Sequence, residues 1–73
     1  MRPEFAAILD VLIRIQTFRL AARRDLDEHG GTPEVLARVT RLEDDATVIL
    51  ARWDEGAADE ATTARELAAL LPS

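Results

Sequence analysis

Four side chains able to carry proton or metal chemistry crowd around one short stretch, LDEHGGTPEV (Leu26 to Val35): Asp25 immediately before it, and Glu28, His29 and Glu34 within it. Asp25 and His29 stand four apart, which makes them neighbours on a helix and suits an oriented base or two ligands of a metal. The chemistry stops there. His29 is the only histidine and the chain has no cysteine, so a zinc site would lack its usual nitrogen and sulfur ligands. No serine, lysine or cysteine in the stretch supplies a nucleophile. Read for backbone roles, the same residues spell helix stop, turn and helix start. Gly30 can close a helix in the left-handed conformation, and Gly31 frees the turn. Thr32 is a good N-cap, Pro33 suits the first helical position, and Glu34 puts negative charge at the positive helix end. His29 then sits in the last turn of the preceding helix, where a cation is favoured. The expectation is a bend, with no catalytic residue, metal or cofactor.

Two other clusters invite the same question. Asp54, Glu55, Asp59 and Glu60 could attract a divalent cation, but the stretch lacks the alternating oxygen ligands of a calcium loop and reads as a solvated connection. Arg14, Arg19, Arg23 and Arg24 scatter around a helix circumference instead of forming a stripe, so they do not make a nucleic-acid surface. The net charge of −5 points the same way and disfavours anionic membranes too. All nine basic residues are arginine, which leaves no lysine for Schiff-base chemistry.

These groups must be positioned by a small scaffold. The chain has 73 residues, enough for one domain. A core of that size contributes only about 3–5 kcal/mol, and small proteins add a disulfide, a metal or a second subunit. Without cysteines, and with one histidine, association is the remaining device. Arg2 followed by an apolar run looks superficially like a signal peptide, but Asp10 and Arg14 interrupt it and no small-residue cleavage site follows. No segment approaches the roughly 20 apolar residues of a membrane span. A cytoplasmic protein is expected.

Apolar residues recur at helical spacing from Pro3 to His29, through Phe5, Ile8, Leu12, Ile15, Ala22 and Leu26. Leu9, Ile13 and Leu20 lie on one flank, Val11 and Phe18 on the other, so the apolar arc of the first half spans about 200°. One neighbouring helix covers about half of that arc. The second segment, about 33–55, carries a narrow seam: Val35, Val39, Leu42, Ala46, Ile49, Trp53. Its alternating steps of four and three are the heptad pattern of a coiled coil. The opposite face pairs Glu34 with Arg38 and Arg41 with Asp45 at i,i+4 spacing. After a linker at 56–62, a short helix follows. Thr63 and Glu66 form a capping box for a helix at about 63–71, or Asp59 caps one that starts earlier; Pro72 ends it. Its expected buried side is Ala64, Leu67, Ala68 and Leu71.

The spacing therefore predicts an all-α fold, an antiparallel helical hairpin (helix 3–29, turn 30–32, helix 33–55) plus a short third helix, dimerising into a four-helix-type bundle. Arg2 and the chain amino group should offset Asp54 and Glu55 at the hairpin end. Leu12, Leu42 and Ile49 are expected in the hairpin core, and Val11, Ile15, Phe18 and Trp53 at the dimer interface. The function this implies is a non-enzymatic protein–protein interaction module, a homodimeric adaptor or regulator with a further protein partner.

Three stretches carry loose family likenesses. TTARELAALLPS resembles the first helix of helix-turn-helix units, over about twelve residues, though the chain ends where a recognition helix would begin. ILARWDE, an acidic linker and ARELAALL are similar to C-terminal docking domains of modular polyketide synthases, which implies a dimerisation or docking element of a larger multienzyme system. The long first helix departs from that pattern. A long helix with Arg2, Arg14 and Arg19 resembles small all-helical chorismate mutases, which implies an arginine-lined site between subunits; the chain lacks the lysine and the further helix that family uses.

Overall fold

The computed structural model describes residues 2–31 and 33–71, and its elements are three α-helices with no strand among those residues: α1 (Pro3–His29), α2 (Pro33–Asp54) and α3 (Glu60–Leu70). The chain is all-α.

Each boundary has a local cause. Pro3 occupies the first turn of α1, where its missing N–H costs nothing, and Arg2 before it is extended. Gly30 ends α1 in the left-handed conformation (φ 63°, ψ 33°), its N–H donating to the Leu26 carbonyl at 3.0 Å. The N-cap assigned to Thr32 lies outside the described residues. Gly56 (φ 78°) closes α2 with a paired motif, its N–H donating to the Trp53 carbonyl at 3.1 Å and the Ala57 N–H to the Arg52 carbonyl at 2.8 Å. α2 thus ends at Asp54, and Glu55 and Gly56 belong to the turn.

α3 begins with Asp59, the earlier of the two starts that the sequence allows. The Asp59 carboxylate Oδ1 accepts from the Thr62 N–H at 2.7 Å. Asp caps at least as well as Thr, and starting one turn earlier turns Thr63 inward. Thr63 is fully buried, and its hydroxyl is satisfied by donating to the Asp59 carbonyl at 2.8 Å. Glu66 accordingly does not complete a capping box; it accepts from Arg52 Nη2 on α2. Pro72, expected to stop the helix, lies outside the described residues.

α1 and α2 run antiparallel. Phe5 meets Trp53 at one end, with ring centroids 6.4 Å apart, and Arg19 reaches Glu43 at 3.4 Å further along. α3 lies in the trough between them near the chain's first residues. Its Ala64 and Leu67 join Ile8, Val11 and Ile15 of α1 and Ala46 and Ile49 of α2 in one core. Leu67 is 0% exposed and Ile8 1%. Ala68, expected on the buried side, is exposed, and Leu71 is half-buried. Leu12 and Leu50 flank the core at its edge.

The end where α3 docks is also tied by polar contacts. Arg2 stands 5.9 Å over the Phe5 ring and 3.1 Å from Glu60 Oε1, an ion pair without hydrogen-bond alignment. Arg2 therefore serves α3, not the Asp54 and Glu55 pair at the end of α2. The chain amino group lies outside the described residues. The expected Glu34–Arg38 and Arg41–Asp45 pairs are not formed; Arg14–Asp10 and Arg24–Glu28 are, each at 3.1 Å. Such exposed pairs contribute about 0–1 kcal/mol each.

Leu67→Ala should destabilise the fold by about 2–5 kcal/mol in chemical denaturation, since it empties a fully buried site. Leu20→Ala, at a position 65% exposed, should stay within about 0.5 kcal/mol of wild type. Equal effects would mean that α3 does not hold the core. Gly56→Ala meets no atom within 4 Å, so its cost should be the left-handed backbone alone, about 1–2 kcal/mol by the same measurement.

Candidate functional site

Among the described residues, the turn between α1 and α2 gathers no converging chemistry. His29 Nε2 stands 3.9 Å from Glu28 Oε2, and Glu28 Oε1 is taken by Arg24 at 3.1 Å. The Asp25 carboxylate folds over Gly31 so closely that a side chain added there would displace it. Among the described residues, no three histidine, cysteine, aspartate or glutamate side chains gather as a metal site would need.

The acidic cluster after α2 is divided between structural tasks. Asp59 caps α3 and Glu60 faces Arg2. The Thr62 hydroxyl and backbone N–H, with the Arg65 charge behind them, hold the Asp59 carboxyl below its ordinary value of 3.8. The arginines are spread in the same way. Arg2, Arg14, Arg19, Arg24 and Arg52 each meet a different carboxylate on a different part of the surface.

What remains open is an apolar feature. The α2 seam runs Val35, Val39, Leu42, Ala46, Ile49, Trp53, and α3 covers only its second half. α3 has 11 residues, about 16 Å of helix, whereas the molecule is 41 Å long. Beyond α3 the trough continues toward the turn, with a volume of about 420 Å³. Phe18, Ala21 and Ala22 of α1 form one wall, Val35, Val39 and Leu42 of α2 the other, and Asp25 and Arg38 stand at the rim. Val39 is buried at its floor, although it lies apart from the main core. Phe18 is 41% exposed and Val35 46%. A smaller hollow of about 240 Å³ lies on the other side of the α1–α2 seam, and the Arg19–Glu43 pair bridges its mouth.

The four residues assigned to an interface are separated by this arrangement. Val11 and Ile15, each 4% exposed, are covered within a single chain, because α3 lies over the part of α1 that carries them. Trp53 is half-buried against Phe5 at the α3 end. Only Phe18 lies on an open surface, and its neighbours there are Val35, Val39 and Leu42. Val35 and Leu42 were legible as seam residues. That Val35 stays exposed, and that Leu42, expected in the hairpin core, is half-buried outside it, was not, because the reach of α3 along the trough depends on where it docks.

The lowered Asp59 value makes a pH prediction. A carboxylate held below its unfolded value stabilises the fold above that value, and the contribution disappears as pH falls through the folded one. Thermal stability should therefore drop on acidification from about pH 5 downward, and Asp59→Asn should keep an N-cap while flattening the Asp59 share of that drop. An unchanged acid profile in Asp59→Asn would mean that the cap is not formed in solution.

Comparison of the chain with protein-family models, with curated proteins and with solved structures finds no match.

Proposed function

We propose that the chain is a small non-enzymatic interaction module of the cytoplasm, an adaptor or regulator that works by receiving an apolar-faced helix in the open half of its trough. The observation that carries this reading is the trough itself: an apolar channel between two antiparallel helices, open for the length that α3 does not reach. α3 supplies the internal example of such an occupant, since it fills the other half with Ala64 and Leu67. Helix-in-groove recognition uses this combination of a narrow apolar floor and a charged rim. The rim charges Asp25 and Arg38 are of opposite sign, so they orient a ligand more than they attract one class of charge. The cytoplasmic setting is proposed from the early apolar run, which Asp10 and Arg14 interrupt as they would not in a signal peptide.

A photo-crosslinking amino acid placed at Phe18, in the trough, and separately at Leu20, on the outer face, tests the reading in the native cells. Position 18 should crosslink to polypeptide, a second copy included, and position 20 should not. Equal labelling, or none from position 18, would overturn the interaction reading.

A further inference from the structure

We infer that the occupant of the open trough is a second copy of this chain, packed antiparallel about a two-fold axis. The inference rests on the reading of the trough as a docking surface and names what docks.

Length is the first reason. By helical rise, the turn lies about 20 Å from Phe18 and about 5 Å from Val35. Two chains that overlap antiparallel over about 25 Å therefore set the Phe18 of each copy over the Val35 of the other. The trough left open by α3, in a molecule 41 Å long, is about 25 Å as well. Each hairpin end would then fill the space that the other copy's α3 leaves uncovered. The middle of the assembly becomes a four-helix bundle, with a three-helix bundle at either end.

Charge is the second. A two-fold interface must be complementary to itself. Asp25 stands on the α1 wall and Arg38 on the α2 wall, and among the described residues neither has an ion-pair partner within the chain. In that overlap the backbones of Arg38 of one copy and Asp25 of the other are about 6 Å apart along the axis, a gap that an extended arginine side chain spans. The symmetry repeats that pair on the other side.

Area is the third. A compact monomer of 8.1 kDa exposes about 4,500 Å², whereas this chain exposes 5311 Å². The excess, about 800 Å², is one partner's share of a standard protein interface. The radius of gyration agrees: 13.6 Å, against about 11 Å for a compact domain of this length. A two-helix overhang with no cysteine to staple it is the part of the chain that most needs such cover.

The test is the solution mass of the full chain by sedimentation from low to high micromolar concentration, with two kinds of variant. Wild type should have twice the 8.1 kDa chain mass. Phe18→Glu should raise the dimer Kd by at least about 30-fold and keep its helical circular dichroism, because Phe18 is 41% exposed in the single chain. The chain has no native cysteine, so disulfides report geometry directly. Phe18→Cys mixed with Val35→Cys should give the mixed disulfide, and neither variant should pair with itself, since like positions lie about 15 Å apart in the overlap. A wild-type monomer throughout the range would overturn the inference, as would a dimer indifferent to Phe18→Glu or one in which Phe18→Cys pairs with itself. If wild type is monomeric while position 18 crosslinks to a different protein, self-occupancy fails and the interaction module stands. If it is monomeric and position 18 crosslinks to nothing, both fail.

Discussion

The structure depends on one mismatch of length. α1 and α2 together make a trough along a molecule 41 Å long, and the chain supplies only an 11-residue helix to fill it. Where α3 lies, the packing is dense: Ile8, Val11, Ile15, Ala46, Ile49, Ala64 and Leu67 form one cluster and Thr63 is buried with its hydroxyl satisfied. Where α3 does not reach, the same two helices have a single buried residue, Val39, at the floor of an open channel. The two halves are built from the same apolar seam and differ in whether a third helix covers it.

The polar contacts follow the same division. Arg2 with Phe5 and Glu60, and Arg52 with Glu66, fasten α3 and its neighbours at the covered end. The open end has the Arg19–Glu43 pair between its helices and the left-handed Gly30 turn. Few buried contacts and exposed ion pairs of small value mean that local opening costs least there. The docking proposed for the trough would fall on this segment, where little native packing has to be given up.

The small size of the chain makes this division consequential. Surface scales against a 73-residue protein, and a single core at one end leaves little stability to spare. The N-cap at Asp59 and the backbone closure at Gly56 matter for that reason. They set where α3 starts and at what angle the chain returns, and hence how far along the trough it extends.

Much of this was legible in the residues. Pro3, Gly30 and Gly56 mark helix ends by backbone chemistry that needs no tertiary contact, and the seam from Val35 to Trp53 names the face of α2 that must be covered. The wide apolar arc of α1 says how much surface seeks cover but not what provides it. Val11 and Ile15 look the same in sequence whether a second chain or α3 lies over them; packing chose α3, and Phe18, one and two turns further on, was left outside its reach. Asp59 and Thr63 are both competent caps, and the choice fell to Asp59 because Thr63 then turns into the core. Arg2 met Glu60 instead of the end of α2 for the same reason, since α3 brought that carboxylate alongside. Local chemistry therefore determined the helices and their ends. The placement of a short helix along a longer trough depends on contacts distant in sequence, and only the tertiary structure decided it.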